Sequence, residues 1–174
     1  MDIVGEGYVW TFIRKDCANI GLGLPSDSHS LQFVKSYLEK HLEKLRIKPL
    51  GKAMAAPVSI GGPLKSFGTG KMVVAGEAAG CVMPLSGEGI RFGMYGGSIA
   101  YKPNYRTEFM KKYGHNLATS RKILGLVRRL SDEERISFLK CLDDPLEVLE
   151  GKRPNIGSFL FKPRLLVKLI QRCL

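Results

Sequence analysis

The 174-residue chain lacks the apolar runs and the cysteine and histidine spacings that define several protein classes. No apolar run approaches the roughly 20 residues that a membrane-spanning helix needs, and residues 1–11 show no signal-peptide pattern. The four cysteines include no CxxC pair, and the three histidines do not complete a metal-ligand spacing. A zinc site and a disulfide framework are therefore not expected, and reduced thiols in a cytoplasmic protein are the default expectation.

Acidic residues are also fewer than basic ones, and the excess of basic residues is concentrated late in the chain. The net charge is +11, of which residues 1–101 contribute +3 and residues 102–174 contribute +8. A basic tail suggests an anionic partner such as nucleic acid, phospholipid headgroups or an acidic substrate, although a simple solvated basic face is the alternative. Nucleic acid is disfavoured because no recognised nucleic-acid motif is present and the aromatic residues do not alternate with the basic ones.

Aromatic residues are concentrated near the start of the chain. The segment GYVWTFIRKD, residues 7–16, places Tyr8, Trp10 and Phe12 on one face, which is typical of a strand with period 2. Residues 17–25 predict a second short strand that pairs with the first as a hairpin. The aromatic face of this hairpin forms either ordinary core or the wall of an apolar pocket.

Apolar residues at three- and four-residue steps predict helices in four places. The first helix begins after Ser28 or Ser30, since serine is a good N-cap. A second helix is expected across residues 105–130, and a third across residues 131–142 begins with a serine and an acidic first turn. The last, residues 163–174, has an apolar stripe flanked by cations, typical either of a helix that lies on a membrane or of one that docks on the chain itself.

Glycine is concentrated in the segment KMVVAGEAAGCVMPLSGEGIRFG, residues 71–93. The preceding residues 48–70 are rich in proline and glycine and predict a crossing strand followed by a loop. Residues 72–75 predict a short buried strand, and a helix is expected to begin near Ser86 and to pack closely against a sheet. Each glycine in that helix costs roughly 1 kcal/mol relative to alanine, so some feature of the fold must require them.

Two interpretations of the glycine segment involve a ligand. The spacing Gly87-x-Gly89-x-x-x-Gly93 matches a dinucleotide fingerprint only weakly, because it does not open a strand–turn–helix unit. A better interpretation joins both glycine clusters into one site, with the Glu77 carboxylate available to hydroxyl groups. The helix near Ser86 would then direct free N–H groups at developing negative charge, which suits a reduced flavin. The alternative without a ligand is a packing motif that accommodates a chain crossing.

The segment GEAAGCVMPLSGEGI, residues 76–90, resembles the second FAD-binding motif of the p-hydroxybenzoate hydroxylase-like flavoproteins. Within that superfamily the chain is similar to the geranylgeranyl reductase family, including the archaeal digeranylgeranylglycerophospholipid reductases. A second motif resembles the aromatic strand that lines this family's isoprenoid channel, and its residues are Tyr8, Trp10, Phe12, Gly21 and Gly23. The resemblance covers roughly residues 5–101.

This resemblance implies an α/β (α+β) fold in which a partial FAD-binding domain is joined to an antiparallel substrate-domain hairpin and a helical tail. The implied parts are the remainder of a substrate domain at 1–50, the C-terminal part of an FAD-binding domain at 51–101 and a helical region at 102–174. FAD contacts are implied for Gly76, Glu77, Ala78, Ala79, Gly80, Pro84, Gly87, Glu88, Gly89 and Ile90. Contacts with an isoprenoid lipid substrate are implied for Tyr8, Trp10, Phe12, Gly21 and Gly23.

The implied activity is reduction of isoprenoid C=C bonds in archaeal-type membrane lipid synthesis, with a hydride from reduced flavin and a proton from a nearby acid. No residue stands out as the proton donor, although Cys81 lies close to the flavin loop in the sequence. The chain departs from the family pattern at Glu77, where aspartate is usual, and at Ile13, where proline is usual.

The largest departure is the missing N-terminal Rossmann βαβ unit with its GxGxxG turn, so the chain resembles the second half of an enzyme. We therefore expect a separate N-terminal partner chain or a homodimer, exposed apolar surface around the strand at 72–75, and a peripheral position on an anionic membrane. The alternative is a non-catalytic remnant that binds a membrane surface or a partner through the basic helical tail.

Overall fold

A computed structural model describes residues 3–4, 7–25 and 29–140, and the chain divides into two compact units, Met1–Pro57 and Val58–Leu174. The elements are β1 Ile3–Val4, β2 Gly7–Ile13, β3 Ala18–Gly23, α1 Leu31–Lys44, β4 Gly68–Thr69, β5 Met72–Val73, α2 Ile90–Ile99, α3 Tyr105–Val127 and α4 Asp132–Lys140. A 3-10 helical turn, Gly76–Ala79, lies between β5 and α2. The predicted mixture of helices and antiparallel strands is confirmed. The predicted helix at 163–174 lies outside the described residues.

The first unit is built on an antiparallel sheet in the order β1-β2-β3. The predicted hairpin is confirmed, because β2 and β3 pair along their length and the Arg14 amide donates to the Cys17 carbonyl at 2.8 Å across the turn. The register places Trp10 opposite Gly21 and Tyr8 opposite Gly23. Alternate side chains of a strand lie on one face, so the aromatic residues and these glycines share a face of the sheet.

The aromatic face explains why glycine occupies position 21. The Trp10 ring lies 6.0 Å from the Tyr8 ring and 6.5 Å from the Phe12 ring, and its Nε1 donates to Asn19 Oδ1 at 2.9 Å. The indole covers Gly21 so closely that a Cβ at that position would overlap the ring. At Gly23 the corresponding Cβ would lie 3.7 Å from the ring, an ordinary contact. Glycine is therefore required at position 21, whereas a larger residue such as alanine would fit at position 23.

Helix α1 follows this sheet and begins where serine capping predicts. Ser30, the second of the two candidate caps, accepts a hydrogen bond from the Phe33 amide at 3.2 Å through its hydroxyl. The His29 and Phe33 rings stack at 4.8 Å beside the cap.

The second unit has its core between the glycine turn, defined as Gly76–Gly80, and helices α2 and α3. Six aromatic rings meet there at centroid distances between 4.9 and 6.3 Å. They belong to Phe67, Phe92, Tyr95, Tyr105, Phe109 and Tyr113. Their edge-to-face and tilted arrangement is the one that aromatic quadrupoles favour, and it fixes α3 against α2.

Two predictions for the segment before the glycine turn are wrong. The buried strand expected at 72–75 is the two-residue strand β5, in which Met72 is 70% exposed and Val73 is 56% exposed. In the part of the chain that the structure describes, β5 pairs only with β4, so neither strand is covered on both sides as a buried parallel strand must be. The crossing strand expected within residues 48–70 is irregular chain apart from Gly68–Thr69.

Helix α2 begins four residues later than predicted, at Ile90 instead of near Ser86. Gly87 has φ +73°, a left-handed conformation that cannot continue a right-handed helix, so the residues before Gly89 form a loop. Helix α4 begins as predicted, because Ser131 and Glu134 exchange hydrogen bonds through their side chains and amides as a capping box. Across the described ranges, no helix combines the length and apolarity that spanning a bilayer requires.

We predict that Gly21→Ala destabilises the first unit, because the added methyl group meets the Trp10 ring. Overpacking of this kind costs about 1–3 kcal/mol. Trp10 is the only tryptophan, so its fluorescence during urea unfolding reports on this unit alone. Gly23→Ala is the matched control and should change the free energy of unfolding by less than about 1 kcal/mol. Equal effects of the two substitutions would contradict the packing that the structure shows.

Candidate functional site

The glycine turn is a 3-10 turn bounded by two left-handed glycines. Gly76 has φ +58° and Gly80 has φ +69°, values that L-residues with a side chain rarely adopt. The turn is closed by the Cys81 amide, which donates to the Gly76 carbonyl at 2.9 Å, and by the Gly80 amide, which donates to the Glu77 carbonyl at 2.8 Å. Its backbone is therefore fully specified without help from side chains.

The turn packs directly against α2, and this contact accounts for much of the glycine content. A Cβ at Gly76 would lie 3.0 Å from the Gly93 Cα, and a Cβ at Gly96 would lie 2.8 Å from the Tyr105 hydroxyl. At Gly80, a Cβ would overlap the Gly62 carbonyl oxygen of the crossing loop. Packing therefore explains these positions, which was the alternative that involved no ligand.

Packing does not explain the glycines that face outward. A Cβ at Gly87 or Gly97 would meet nothing within 4 Å, and both residues are exposed. Gly87 is needed for its positive φ, whereas Gly97 has an ordinary helical backbone. Gly97 lies on the same face of α2 as Ile90 and Met94, which are 81% and 73% exposed. This apolar face of α2 is exposed, as are Met72 and Val73 of β5, and the expected incompleteness of the unit stays a prediction.

Glu77 is exposed at the outer side of the glycine turn. Its Oε1 accepts a hydrogen bond from the Ser59 amide at 2.9 Å. In the described part of the chain, Oε2 makes no hydrogen bond or ion pair, so this oxygen is available to a hydrogen-bond donor. Ala78 is exposed beside it, whereas Ala79 is fully buried in the core.

The loop between the turn and α2 is closed by its own backbone. The Met83 amide donates to the Glu88 carbonyl and the Gly87 amide donates to the Met83 carbonyl, both at 2.8 Å. The Leu85 amide donates to the Ser120 hydroxyl of α3 at 3.0 Å, which anchors the loop to the longest helix. Pro84 is buried under the loop, and Glu88 and Gly89 are half-buried.

The N-terminus of α2 opens at the end of this loop. Gly89 is its N-cap and offers no side-chain hydrogen bond, so the first amides of the helix remain available to an acceptor. Glu88 Oε2 instead pairs with Arg91 at 2.9 Å. The predicted flavin residues differ in exposure: Glu77, Ala78, Gly87 and Ile90 are exposed and Glu88 and Gly89 are half-buried, whereas Gly76, Ala79, Gly80 and Pro84 are buried.

Cys81 does not suit the role of proton donor. The residue is fully buried between the glycine turn and the core, and its Sγ lies 3.7 Å from the Ala79 carbonyl. Burial raises the pKa of the Cys81 thiol to about 11, although the charge of Arg106 opposes part of this shift. The thiol is therefore both protonated and inaccessible at neutral pH.

The predicted substrate residues are placed together in the first unit. Tyr8, Trp10 and Phe12 form the aromatic face of the hairpin, with Phe12 63% exposed at its end. Gly21 and Gly23 lie beneath this face, and burial raises the pKa of the Tyr8 hydroxyl. The three rings form one aromatic surface on this face of the sheet, and their contact with a substrate stays a prediction.

Sequence reasoning missed three residues that support the site. Ser120 is fully buried and accepts from Leu85, Arg106 Nε donates to the Leu64 carbonyl at 3.1 Å, and the Tyr105 hydroxyl is buried against α2. Burial, and secondarily Cys81, raise the pKa of Tyr105. Of these three residues, only Ser120 could have been noticed in the sequence. It is a polar residue three positions from both Leu117 and Ile123, so it falls on the buried apolar side of α3.

Comparison with known proteins identifies the family. The chain is 28% identical to the digeranylgeranylglycerophospholipid reductase of Methanocaldococcus jannaschii and 29% identical to that of Methanococcus aeolicus, in each case over 95% of this chain. It is 32% identical to digeranylgeranylglycerophospholipid reductase 2 of Methanothermobacter thermautotrophicus over 84% of this chain. The chain belongs to the geranylgeranyl reductase family. Members of this family are generally flavin-dependent.

The match to the geranylgeranyl reductase family covers only part of the length of the relatives. The chain spans only 47% of the length of the first two relatives and 40% of the third. No family model and no solved structure matches the chain. Within the described residues, no group of three or more His, Cys, Asp or Glu is placed to hold a metal ion.

We predict that Gly80→Ala disrupts the second unit, because it combines a left-handed backbone with overlap on the Gly62 carbonyl. The two effects together should cost about 2–4 kcal/mol. Gly97→Ala is the matched control, since its methyl group would point into open space and alanine favours a helix by roughly 1 kcal/mol. Thermal unfolding followed by circular dichroism should therefore show a lower Tm for the first variant and an unchanged or higher Tm for the second.

We predict that Cys81 resists alkylation in the folded chain while the exposed Cys17 reacts. A rise in pKa from 9.0 to about 11 lowers the thiolate fraction at neutral pH roughly 100-fold, and burial adds to this protection. Iodoacetamide labelling followed by peptide mass spectrometry measures both sites in one sample. Both cysteines should react at similar rates in urea, and equal rates in native buffer would show that Cys81 is accessible.

Proposed function

We propose that this chain forms part of an FAD-dependent oxidoreductase that reduces C=C bonds of geranylgeranyl chains in archaeal-type membrane lipid synthesis. The observation that carries the proposal is the match along nearly the whole chain to proteins named digeranylgeranylglycerophospholipid reductase. The match is supported by two separate surfaces: an open glycine turn and loop in the second unit, and an aromatic hairpin face in the first.

The second unit fits the isoalloxazine and ribityl part of FAD. The unpaired Glu77 Oε2 suits a ribityl hydroxyl, and the exposed Gly87 adds no side chain of its own beside the α2 N-terminus. The amides at that N-terminus would hydrogen-bond the negative charge that a reduced flavin carries. When bound, FAD would supply the hydride for reduction of the substrate double bond.

The first unit fits the isoprenoid substrate. Tyr8, Trp10 and Phe12 offer an aromatic surface on one face of the hairpin, with the Trp10 ring 6.0 Å from the Tyr8 ring and 6.5 Å from the Phe12 ring. The position of Gly21 under the indole holds Trp10 against the sheet, so this surface is preorganised for an apolar chain. Cys81 is too deeply buried to donate a proton to the substrate. No other described residue is proposed as the proton donor.

The proposed enzyme is incomplete in this chain alone. The described strands pair only antiparallel, and no described element supplies the parallel βαβ unit that would hold the adenosine and pyrophosphate of FAD. The exposed apolar face of α2 is consistent with a further polypeptide segment that packs there, such as a partner chain or a second copy. The short span relative to the curated relatives supports the same proposal.

We predict that the purified chain binds FAD weakly, and that the segment of a curated relative that this chain does not span restores tight binding. Flavin fluorescence quenching measures the affinity without any assay of activity. In the restored complex Glu77→Ala should weaken binding by about 1.5–3 kcal/mol, the worth of one hydrogen bond to a charged group.

The matched control is Glu108→Ala, which removes an equal charge at the start of α3, where the glutamate pairs with Lys102. This variant should leave FAD affinity unchanged. Stoichiometric FAD in the isolated chain would contradict the proposal that the chain is incomplete, and an unaffected Glu77→Ala complex would remove Glu77 from the site.

A further inference from the structure

We propose that the outward face of α3, which carries Lys111, His115 and Lys122, lies against the anionic headgroups of a phospholipid bilayer. The helix is 23 residues long, and these residues recur at four- and seven-residue steps, so they fall on one side of it. All three are exposed, as are Ala118 and Gly125, which occupy the same side. We call these five residues the cationic face.

The cationic face carries one acidic neighbour on its own helix, at its N-terminal end. Glu108 lies three residues before Lys111 and pairs with Lys102 at 4.0 Å, and no Asp or Glu follows it until Asp132 in the next helix. In the described part of the chain, no ion pair is recorded for Lys111 or Lys122. On α1, by contrast, Lys35 and Glu39 form an ion pair at 3.9 Å, the usual pattern of a solvated helix.

The opposite side of α3 fixes the cationic face in place. Phe109, Leu117, Ser120 and Ile123 are buried in the core, and Ser120 also holds the loop that precedes α2. The lysines therefore project from a rigid element and lose little conformational freedom on binding beyond that of their own side chains. The distance from Lys111 to Lys122 is about 16 Å along the helix, which spans several lipid headgroups.

The shape of the cationic face favours a flat partner. Ala118 and Gly125 add almost no side-chain volume between the cations, so the helix can lie along a planar surface with its lysines extended. No aromatic side chain lies on this face, although stacking on aromatic rings is the usual contribution to binding of single-stranded nucleic acid. A planar anionic bilayer therefore fits better than a nucleic acid.

This inference rests on the proposed function, because the curated relatives are named for a glycerophospholipid substrate, which would be met at a membrane. It also reassigns the membrane contact that the sequence predicted, from the segment 163–174 to α3. Binding should be electrostatic and reversible, since surface charges are screened over about 8–10 Å at ordinary ionic strength.

Vesicle flotation tests the proposal with the full chain and no flavin or isoprenoid. Vesicles of phosphatidylcholine with 30% phosphatidylglycerol (roughly the charge of an anionic membrane) should bind the chain at low salt. Vesicles of phosphatidylcholine alone should not. Lys111→Gln combined with Lys122→Gln should weaken binding roughly 25-fold, about fivefold for each lysine. Circular dichroism of this double variant checks that the helices remain folded.

Two further double variants with the same change of charge separate the possible contact sites. Lys40→Gln with Lys44→Gln on α1, and Lys168→Gln with Arg172→Gln in the C-terminal segment, should each leave binding within about threefold of the unmodified chain, an effect of long-range charge alone. If the C-terminal variant abolishes flotation and the α3 variant does not, the proposal is overturned. Equal losses in all three variants would also overturn it, because they would show a dependence on net charge only.

Other outcomes distinguish the remaining partners. Tighter binding to a mixed-sequence DNA duplex or RNA than to anionic vesicles, lost in the same α3 variant, would make the cationic face a nucleic-acid surface instead. Because the vesicles contain no substrate, flotation can succeed even if the chain fails to bind FAD with its complement. Conversely, restored FAD binding without flotation would retain the proposed function and reject only the membrane face.

Discussion

Close packing of backbone against backbone, between the glycine turn and α2, is the contact on which the second unit depends. Gly76 meets Gly93 with no side chain between them, and Gly80 meets the carbonyl of Gly62 in the same way. These approaches place the turn directly over the aromatic core. The approach needs glycine at Gly76 in the turn, and the Tyr105 hydroxyl needs it at Gly96 in α2, whereas a Cβ at Gly93 would make an ordinary 3.7 Å contact.

The same contact determines what remains open for a ligand. In the unit that this packing forms, Glu77, Gly87 and Ile90 are exposed, and Gly89 supplies no side-chain cap to the first amides of α2. Packing and binding are therefore not competing explanations of the glycine segment. The inward glycines serve the packing of the unit, and the outward ones leave a surface that a flavin could approach.

The two sides of α3 face different environments, and close packing on one side fixes the direction of the other. Its buried side supplies Phe109, Leu117 and Ser120 to the core and to the loop, and this fixes the direction in which its lysines project. Similarly, Gly21 in the first unit is fixed by the Trp10 ring above it, so the aromatic face keeps one orientation. In both units, close packing holds in one orientation a surface that is proposed to meet a lipid.

Local patterns in the sequence determined the aromatic hairpin, the Ser30 cap, the capping box of α4 and the extent of α3 to within a few residues. Each depends on interactions between residues close in the chain, such as period-2 alternation or a serine side chain near the next turn. The family motifs also lie in contiguous segments, so the resemblance was visible without the fold.

Tertiary structure decided the remaining features of the fold and of the candidate site. Helix α2 starts at Ile90 because Gly87 has a positive φ. Strand β5 is exposed because no further described strand lies beside it. Cys81 is buried by helices that are distant from it in the sequence. These features are set by which segments meet in space, and that is information a local pattern does not carry.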